Sequence, residues 1–157
     1  MVSKSTWAVI TIGIALVSVY LTIQTIQAST DYWLQKSPEF FPQGDHTIII
    51  YCKNGGGEVD ADFNLVVTFV NASFSDKTEK SYYLVNDSKV EFGFILHKGE
   101  SGSKTVYFSF NDTTTEFSIS VSLEKKNFFD MLKANPLYPT TLQYNWNDIA
   151  KSYTLIE

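Results

Sequence analysis

Residues 116–124 have the sequence EFSISVSLE, in which every second residue is hydrophobic. Successive side chains of a β-strand point to opposite faces, so this period of two predicts a strand with one face on a core and the other in water. With residues 105–110 it is expected to form a hairpin across a turn at 111–114. The residues expected to face the core are Phe117, Ile119, Val121 and Leu123.

Further strands are predicted on the N-terminal side of this one. They are rich in β-branched and aromatic residues, and turn residues separate them at intervals of roughly ten residues with no helical pattern between them. We therefore predict a mainly β fold, an antiparallel immunoglobulin-like β-sandwich of seven to eight strands. The strands are expected at residues 46–53, 63–70, 81–85, 90–96 and 105–110.

Two turns carry a resemblance to a known family. Residues 54–57, Asn-Gly-Gly-Gly, end the strand predicted at 46–53 before an acidic approach to the next strand, and Lys98-Gly99-Glu100 precedes the strand at 105–110. These turns resemble those of the cell-adhesion-related domain of bacterial and archaeal surface proteins, although this chain has Lys98 where that family commonly has proline. The resemblance covers residues 46–124 and implies a noncatalytic surface module.

The N-terminal part of the chain has a different character. Residues 7–26 contain no charged side chain, and as a helix they would extend about 30 Å, the thickness of a bilayer's hydrocarbon core. We therefore predict a membrane anchor over residues 1–29, a connector without assigned regular structure over 30–45 and the β-sandwich over 46–157. The alternative is a secretory signal peptide cleaved before Ser29, although its apolar core normally spans only about 7–15 residues.

One face of the predicted helix carries small and hydroxyl-bearing side chains at alternating spacings of three and four residues. Membrane helices associate through small residues that allow close backbone approach and through interhelical hydroxyl bonds, so this face predicts a protein partner with a membrane helix. The alternative is that each hydroxyl bonds to the carbonyl one turn earlier and needs no partner. The face, called the small-residue seam below, consists of Ala8, Thr11, Ala15, Ser18, Thr22 and Thr25.

The distribution of charge predicts the topology and excludes some partners. Lys4 before the anchor and Asp31 after it favour a single-pass protein of the cell membrane with a cytoplasmic N-terminus and an extracytoplasmic C-terminal domain. Beyond the anchor lie eleven lysines and all seventeen acids, a net charge of −6, which argues against nucleic acid and anionic lipid headgroups as ligands.

Cys52 is the only cysteine, so an intrachain disulfide is excluded. An extracytoplasmic domain without disulfides is more typical of an archaeal or bacterial surface protein than of a secreted eukaryotic one. The hydrophobic run before Cys52 predicts a buried, inert thiol.

Three Asn-X-Ser/Thr sequons begin at Asn71, Asn86 and Asn111. All three fall at predicted strand ends or turns, on the side of the membrane that the charge distribution places outside. They are therefore candidate glycosylation sites.

The chain offers few residues for chemistry. Glu58, Asp60 and Asp62 resemble the opening of a calcium loop, but Leu65 and Asn71 stand where that loop requires Gly and Glu, so a solvated strand entrance is the default interpretation.

The two histidines also fail the tests for known sites. His46 and His97 lack the spacing from Cys52 that a blue-copper site requires, and both are expected at exposed strand positions beside turns. The sequence contains neither a Gly-x-Ser-x-Gly elbow nor a glycine loop with the lysine that would cradle a phosphate. We predict no catalytic residue, no metal and no cofactor.

The C-terminal segment is rich in aromatic residues. Two helical turns are expected over 127–134, ended by Pro136 and Pro139, with a strand over 140–145. The aromatic side chains are expected to close an open end of the sandwich; the alternative is a binding surface. They are Phe128, Phe129, Tyr138, Tyr144, Trp146 and Tyr153.

These observations favour a non-catalytic, membrane-anchored surface protein, a structural or accessory subunit held to a protein partner through the seam. The alternative is a pilin-like filament subunit, since the layout resembles archaeal pilins and Lys4-Ser5 before Thr6 is similar to their processing site. If the N-terminal segment is cleaved, a secreted carbohydrate- or calcium-binding module is expected instead.

Overall fold

The computed structural model describes residues 4–57, 59–75, 82–110, 114–126 and 132–156. One helix, α1, covers Lys4–Ile26 and is followed by strands only. The strands are β1 (Ala28–Leu34), β2 (Glu39–Phe40), β3 (His46–Gly56), β4 (Ala61–Val70), β5 (Ala72–Phe74), β6 (Tyr82–Asn86), β7 (Lys89–Leu96), β8 (Ser101–Phe110), β9 (Glu116–Lys125), β10 (Leu132–Pro136), β11 (Thr141–Asn147) and β12 (Ser152–Leu155).

The strands form two sheets that pack face to face. Sheet A has the order β10-β1-β3-β8-β5, and sheet B has the order β2-β12-β11-β9-β4-β7-β6. Within the described residues all neighbouring strands pair antiparallel except β1 and β10, which are parallel. The prediction of a mainly β sandwich behind one helix of membrane-spanning length is confirmed, with more strands than expected.

The core lies between the two sheets and is built from alternate residues of each strand. In β9, Phe117, Ile119 and Val121 are buried as predicted, and Leu123 is half-buried. Their rings and branched side chains meet the inner face of sheet A, where the centroids of Phe110 and Phe117 lie 5.1 Å apart. Each such side chain stabilises the fold by roughly 1.5–3 kcal/mol through removal of apolar area from water.

The hairpin predicted from β8 and β9 is wrong. β8 pairs with β3 and β5 in sheet A, whereas β9 pairs with β4 and β11 in sheet B. Both strands have one apolar face, and these faces meet across the core, where the centroids of Phe108 and Phe117 are 5.9 Å apart. Alternation indicates which side chains are buried, but not which strand is the neighbour.

The segment 30–45 differs from the structureless connector that was expected. Most of β1 lies within it and is inserted between β10 and β3, with Thr30, Tyr32 and Leu34 buried. Trp33 points to the other face of sheet A and stacks on Tyr51 at a centroid distance of 5.5 Å. β2, at the edge of sheet B, places Phe40 in the core.

Two further boundaries differ from expectation. The strand predicted at 46–53 continues through the first two glycines of the run, because Gly56 pairs with Ser29 of β1. In the C-terminal segment, residues 132–134 belong to strand β10 rather than to the expected helix, whose first part, 127–131, lies outside the described residues. β10 is specified by pairing with distant β1, and the expectation rested on local helical spacing alone.

The strand expected at 140–145 is confirmed as β11. Tyr144 and Tyr153 are buried in the core and Trp146 packs against it, which confirms the closing role for these three aromatic residues. Tyr138, by contrast, is exposed, and Phe128 and Phe129 lie outside the described residues.

Candidate functional site

Helix α1 exposes apolar side chains along its described length. All its described side chains, from Lys4 to Ile23, are exposed, and this stretch is long and apolar enough to cross a membrane. Length and composition alone do not separate an anchor from a signal sequence, because an N-terminal signal meets the same criteria.

The hydroxyl groups of the small-residue seam bond within the helix. Thr11 Oγ1 donates to the Trp7 carbonyl at 2.9 Å, Ser18 Oγ to the Ile14 carbonyl at 2.9 Å, and Thr22 Oγ1 to the Ser18 carbonyl at 2.8 Å. This is the alternative that the sequence left open. The small side chains of the seam still allow the backbone of another helix to approach closely. A hydroxyl group that donates one hydrogen bond can also accept another. The side chain of Thr25 lies outside the described residues.

The passage from helix to sandwich is unusually short. The Gln27 amide still donates to the Ile23 carbonyl at 3.0 Å, and Ala28 is already the first residue of β1. A single residue therefore separates α1 from a strand that lies inside sheet A.

Gly57 packs directly on this junction. Its φ of +81° is one that side chains rarely adopt, and a Cβ atom would overlap the Gln27 carbonyl and lie 2.8 Å from the Ala28 nitrogen. Gly56 and Gly55 continue along the same edge, where a Cβ would meet Ser29 and Asp31 at 3.3 Å and 3.2 Å. The sequence identified this glycine run as a turn, but its contact with the helix exit was not foreseen.

Asn54 links the two turns that carried the family resemblance. Its fully buried side chain donates through Nδ2 to the carbonyls of Val59 and Leu96 at 3.2 Å and 3.1 Å. Its backbone amide donates to the Glu100 carbonyl, and its own carbonyl accepts from Gly99. Because backbone and side chain both take part, Asn54 joins the glycine run to the corner between β7 and β8.

Two of the acidic residues considered for calcium, Asp60 and Asp62, contact different basic side chains. Asp60 accepts from His97 Nδ1 at 3.0 Å, and this bond, together with the charges of Asp60 and Glu100, raises the pKa of His97. Asp62 pairs with Lys126. Glu58 lies outside the described residues, and within the described part of the chain no three His, Cys, Asp or Glu side chains are grouped to hold a metal.

Cys52 is buried, as expected, and its thiol donates to the Gly102 carbonyl at 3.5 Å. Burial raises the pKa of this thiol to about 12. The nucleophilic thiolate is therefore scarce at neutral pH, and the prediction of an inert cysteine agrees with these surroundings.

The expectation of an exposed His46 is wrong. Its ring is buried and stacks on Phe110 at a centroid distance of 4.5 Å, because His46 begins the inward-facing series of β3. Burial lowers the pKa of His46, and the carboxylate of Asp45 opposes this shift. His97 is exposed, as expected, but follows β7 rather than lying on it.

A cleft of about 140 Å³ lies on sheet B between the ends of β4, β9 and β11. Its lining includes one carboxylate, Glu116, and neither histidine nor cysteine. Tyr144 also lines it, but its hydroxyl donates to the Ser37 carbonyl at 2.9 Å and burial raises its pKa to about 12. This cleft therefore lacks a pair of groups suited to acid–base catalysis near neutral pH.

The asparagines of both described sequons are exposed. Asn71 lies between β4 and β5, and Asn86 ends β6. Asn111 follows the last residue of β8 but lies outside the described residues.

No family model matches the chain, and no curated protein matches it. Among solved structures, the seventh ScaB type I cohesin of Pseudobacteroides cellulosolvens is similar at 16% identity and a TM-score of 0.43, over 69% of this chain and 87% of the cohesin chain. A chain of the Coh-OlpA-Doc918 type I cohesin–dockerin complex of Clostridium thermocellum is similar at 10% identity and a TM-score of 0.43, over 69% of this chain and 99% of the other.

The sixth cohesin of scaffoldin B from Acetivibrio cellulolyticus, in complex with a Cel5 dockerin, gives 10% identity and a TM-score of 0.42, over 71% and 93% of the two chains. At these values the structures assign neither a family nor a partner to this chain. The resemblance to the cell-adhesion-related domain stays a prediction.

Proposed function

We propose that this chain is a non-catalytic surface protein of the cell membrane, anchored by α1 with a cytoplasmic N-terminus and an extracytoplasmic β-sandwich. It acts as a structural or accessory subunit that binds a protein partner. The observation that carries the proposal is the junction at Gln27, where an exposed apolar helix passes directly into a strand within sheet A.

The packing of the junction supports retention of the helix. Ala28 is fully buried and pairs with Leu132 of β10, while Gln27 lies against Gly57. Cleavage before Ser29 would remove both Gln27 and Ala28 from these contacts. A signal peptide that is cleaved off is not expected to contribute residues to the packing of the folded domain, as Gln27 and Ala28 do.

The seam provides a contact for the partner. In lipid, helices do not gain hydrophobic free energy by associating, so they rely on close packing at small residues. Ala15 and Ser18 lie near the middle of the seam, where larger side chains would separate two helices most. The described sandwich contains neither a metal-binding group nor a catalytic pair in its cleft, which leaves binding as the simplest activity.

Blue-native electrophoresis after mild detergent extraction tests the partner. Ala15→Leu with Ser18→Leu is expected to release a free subunit from a larger complex. Gly13→Leu with Val17→Leu adds bulk to the same helix away from the seam and is expected to leave the complex intact. Migration of the unaltered protein as a lone monomer would contradict the proposed partner.

The same short junction also favours a second candidate, a pilin-like filament subunit, because both layouts have a long apolar helix leading straight into a β head. A secreted carbohydrate- or calcium-binding module is the third. N-terminal sequencing of the mature protein separates them. A start at Met1 supports the retained anchor, a start at Thr6 the filament subunit, and a start at Ser29 the secreted module.

A further inference from the structure

The two described sequon asparagines, Asn71 and Asn86, lie at the end of the sandwich opposite the helix junction. β4 begins at Ala61, four residues after Gly57, and runs for ten residues to Val70. At about 3.3 Å per residue, this strand carries the chain roughly 30 Å away from the junction. Asn71 is the next residue, so it occupies the far end, called the distal end below.

The second sequon lies beside the first. The Phe69 amide donates to the Ser88 carbonyl and the Phe74 amide donates to the Asp87 carbonyl, both at 2.8 Å. These bonds hold the turn after Asn86 against the residues on either side of Asn71. β8 ends at the same place, since Phe110 pairs with Ala72, and the third sequon begins with the next residue in the chain.

Both asparagines are exposed: Asn71 lies in the bend between β4 and β5, and Asn86 is the last residue of β6, before a turn. Asn86 Oδ1 accepts from the backbone amide and the hydroxyl of Ser88, each at 2.9 Å. Asn71 has a φ of +57°, which asparagine tolerates, and its Nδ2 donates to the Glu116 carbonyl at 3.1 Å. A side-chain amide has two N–H hydrogens, so replacement of one by a sugar leaves the other for this bond.

We infer that Asn71 and Asn86 carry N-linked oligosaccharides that together cover the distal end of the sandwich. The two asparagines, fifteen residues apart in the sequence, lie beside one another, and both are at the end farthest from the proposed membrane. The inference rests on the proposed function, because it requires the sandwich to lie outside the cell.

The modification is a glycosyl transfer by a separate enzyme from a lipid-linked diphosphate oligosaccharide. The anomeric carbon forms a bond with Nδ2 of asparagine, and its bond to the phosphate oxygen breaks. The lipid diphosphate leaves with the electron pair of that bond, and Nδ2 loses one proton. No oxidant or reductant is required.

A covered distal end restricts where a protein partner binds. Hydrated oligosaccharides on two adjacent turns would exclude another protein from this end and leave the sides of the sandwich and the anchor helix. This agrees with a partner held through the membrane helix rather than one captured at the distal end.

The test is glycopeptide mass spectrometry of the protein purified from the membranes of the cells that naturally make it. Peptides containing Asn71 and Asn86 are expected to carry oligosaccharide masses. In the expressed variants Ser73→Ala and Ser88→Ala, each change is expected to remove one of these masses. Ser73→Thr and Ser88→Thr preserve the sequons and should retain them, and Asn145→Gln, outside any sequon, should change nothing.

Each outcome is decisive when protease is also added to intact cells. Unmodified asparagines on a sandwich that external protease digests would overturn this inference and leave the proposed function standing. Unmodified asparagines on a protected sandwich would overturn both. Modification at one asparagine only would support that site and overturn the other.

Discussion

Helix α1 and strand β9 differ in how far they expose apolar side chains of the same type. Ile14 in the helix is 63% exposed, whereas Ile119 in the strand is fully buried. The two sheets bury each other's apolar side chains, because each strand turns its apolar face toward the opposite sheet. The described side chains of the helix are exposed on every face, and no single face of the sandwich could cover them all.

This contrast separates a helix long and apolar enough to cross a membrane from strands that bury one face in a protein core. The alternating pattern of β9 is typical of a strand with water on one side and a protein core on the other. The uncharged run in α1 is typical of a membrane span, with the small-residue seam left for another helix. The junction at Gln27, where the two patterns meet without a linker, therefore marks the expected surface of the membrane.

The largest expected effect is the loss of stability when a large core side chain of β9 is truncated, compared with a truncation in α1. Phe117→Ala is expected to destabilise the sandwich by about 3–5 kcal/mol, because the ring contacts Phe110 and Tyr144 in the core. Ile14→Ala is expected to leave the unfolding of the sandwich unchanged. Chemical denaturation of the detergent-solubilised protein, followed by tryptophan fluorescence, measures both. Equal destabilisation by the two variants would mean that α1 belongs to the core of the folded domain.

The second prediction concerns the junction. Gly57→Ala is expected to cost about 2–4 kcal/mol, because the strain of a positive φ is added to overlap with the Gln27 carbonyl. Gly99→Ala is the matched control, since Gly99 has a φ of +78° but open space around it, and we expect only the strain, about 1 kcal/mol. Thermal unfolding measures the stability of both variants. Equal losses of stability would mean that close packing of Gly57 on Gln27 does not stabilise the fold.

A somewhat smaller effect is expected at the corner beside the junction. Asn54→Ala leaves the carbonyls of Val59 and Leu96 without this donor and is expected to cost about 2–3 kcal/mol. Asn145→Ala, at an exposed position, is expected to change stability by less than about 0.5 kcal/mol. If urea denaturation gives the same midpoint for both variants, Asn54 does not join the two turns energetically.

The smallest expected effect is a dependence of the stability of the sandwich on pH, which arises from its two histidines. Burial lowers the pKa of His46, so the folded state disfavours its charged form. Its stabilising contribution is complete above the ordinary pKa of 6.5 and falls as the pH drops below that value toward the folded pKa. His97 has the opposite sign, because its raised pKa gives stability at low pH that is lost as the pH rises through the folded pKa.

Unfolding midpoints between about pH 7 and pH 5 check this prediction. His46→Phe should remove most of the loss on acidification, and His97→Gln should steepen it slightly, since His97 is exposed. A slope that persists in His46→Phe would assign the acid sensitivity to other groups.

Sequence patterns predicted side-chain burial better than strand pairing. The alternation in β9 identified Phe117, Ile119 and Val121 as core residues, and all three are buried. Pairing depends on residues far apart in the chain, which is why β8 and β9 were joined in one hairpin although they lie in different sheets. β1 was missed for a local reason, since a buried polar residue, Thr30, interrupts its apolar series.

The candidate site shows the same difference between local motifs, which the sequence reveals, and contacts between distant residues, which it does not. The glycine run, the seam and the sequons were visible as local motifs, because each depends on a few adjacent or regularly spaced residues. The contact of Gly57 with Gln27, the link from Asn54 to Glu100 and the meeting of the Asn71 and Asn86 turns arise only from the fold. The burial of His46 was missed although the strand was predicted to begin there, because the three consecutive isoleucines at 48–50 do not indicate which face of the strand is inward.

The central claim is that a retained helix holds an outward-facing sandwich to the membrane. Protease treatment of intact cells, followed by mass spectrometry of what stays in the washed membranes, tests it most directly. The account predicts that peptides from the sandwich are lost while a peptide containing residues 7–26 remains in the membrane. A sandwich that resists digestion until the cells are broken, or a polypeptide released by washing that begins at Ser29, would contradict it.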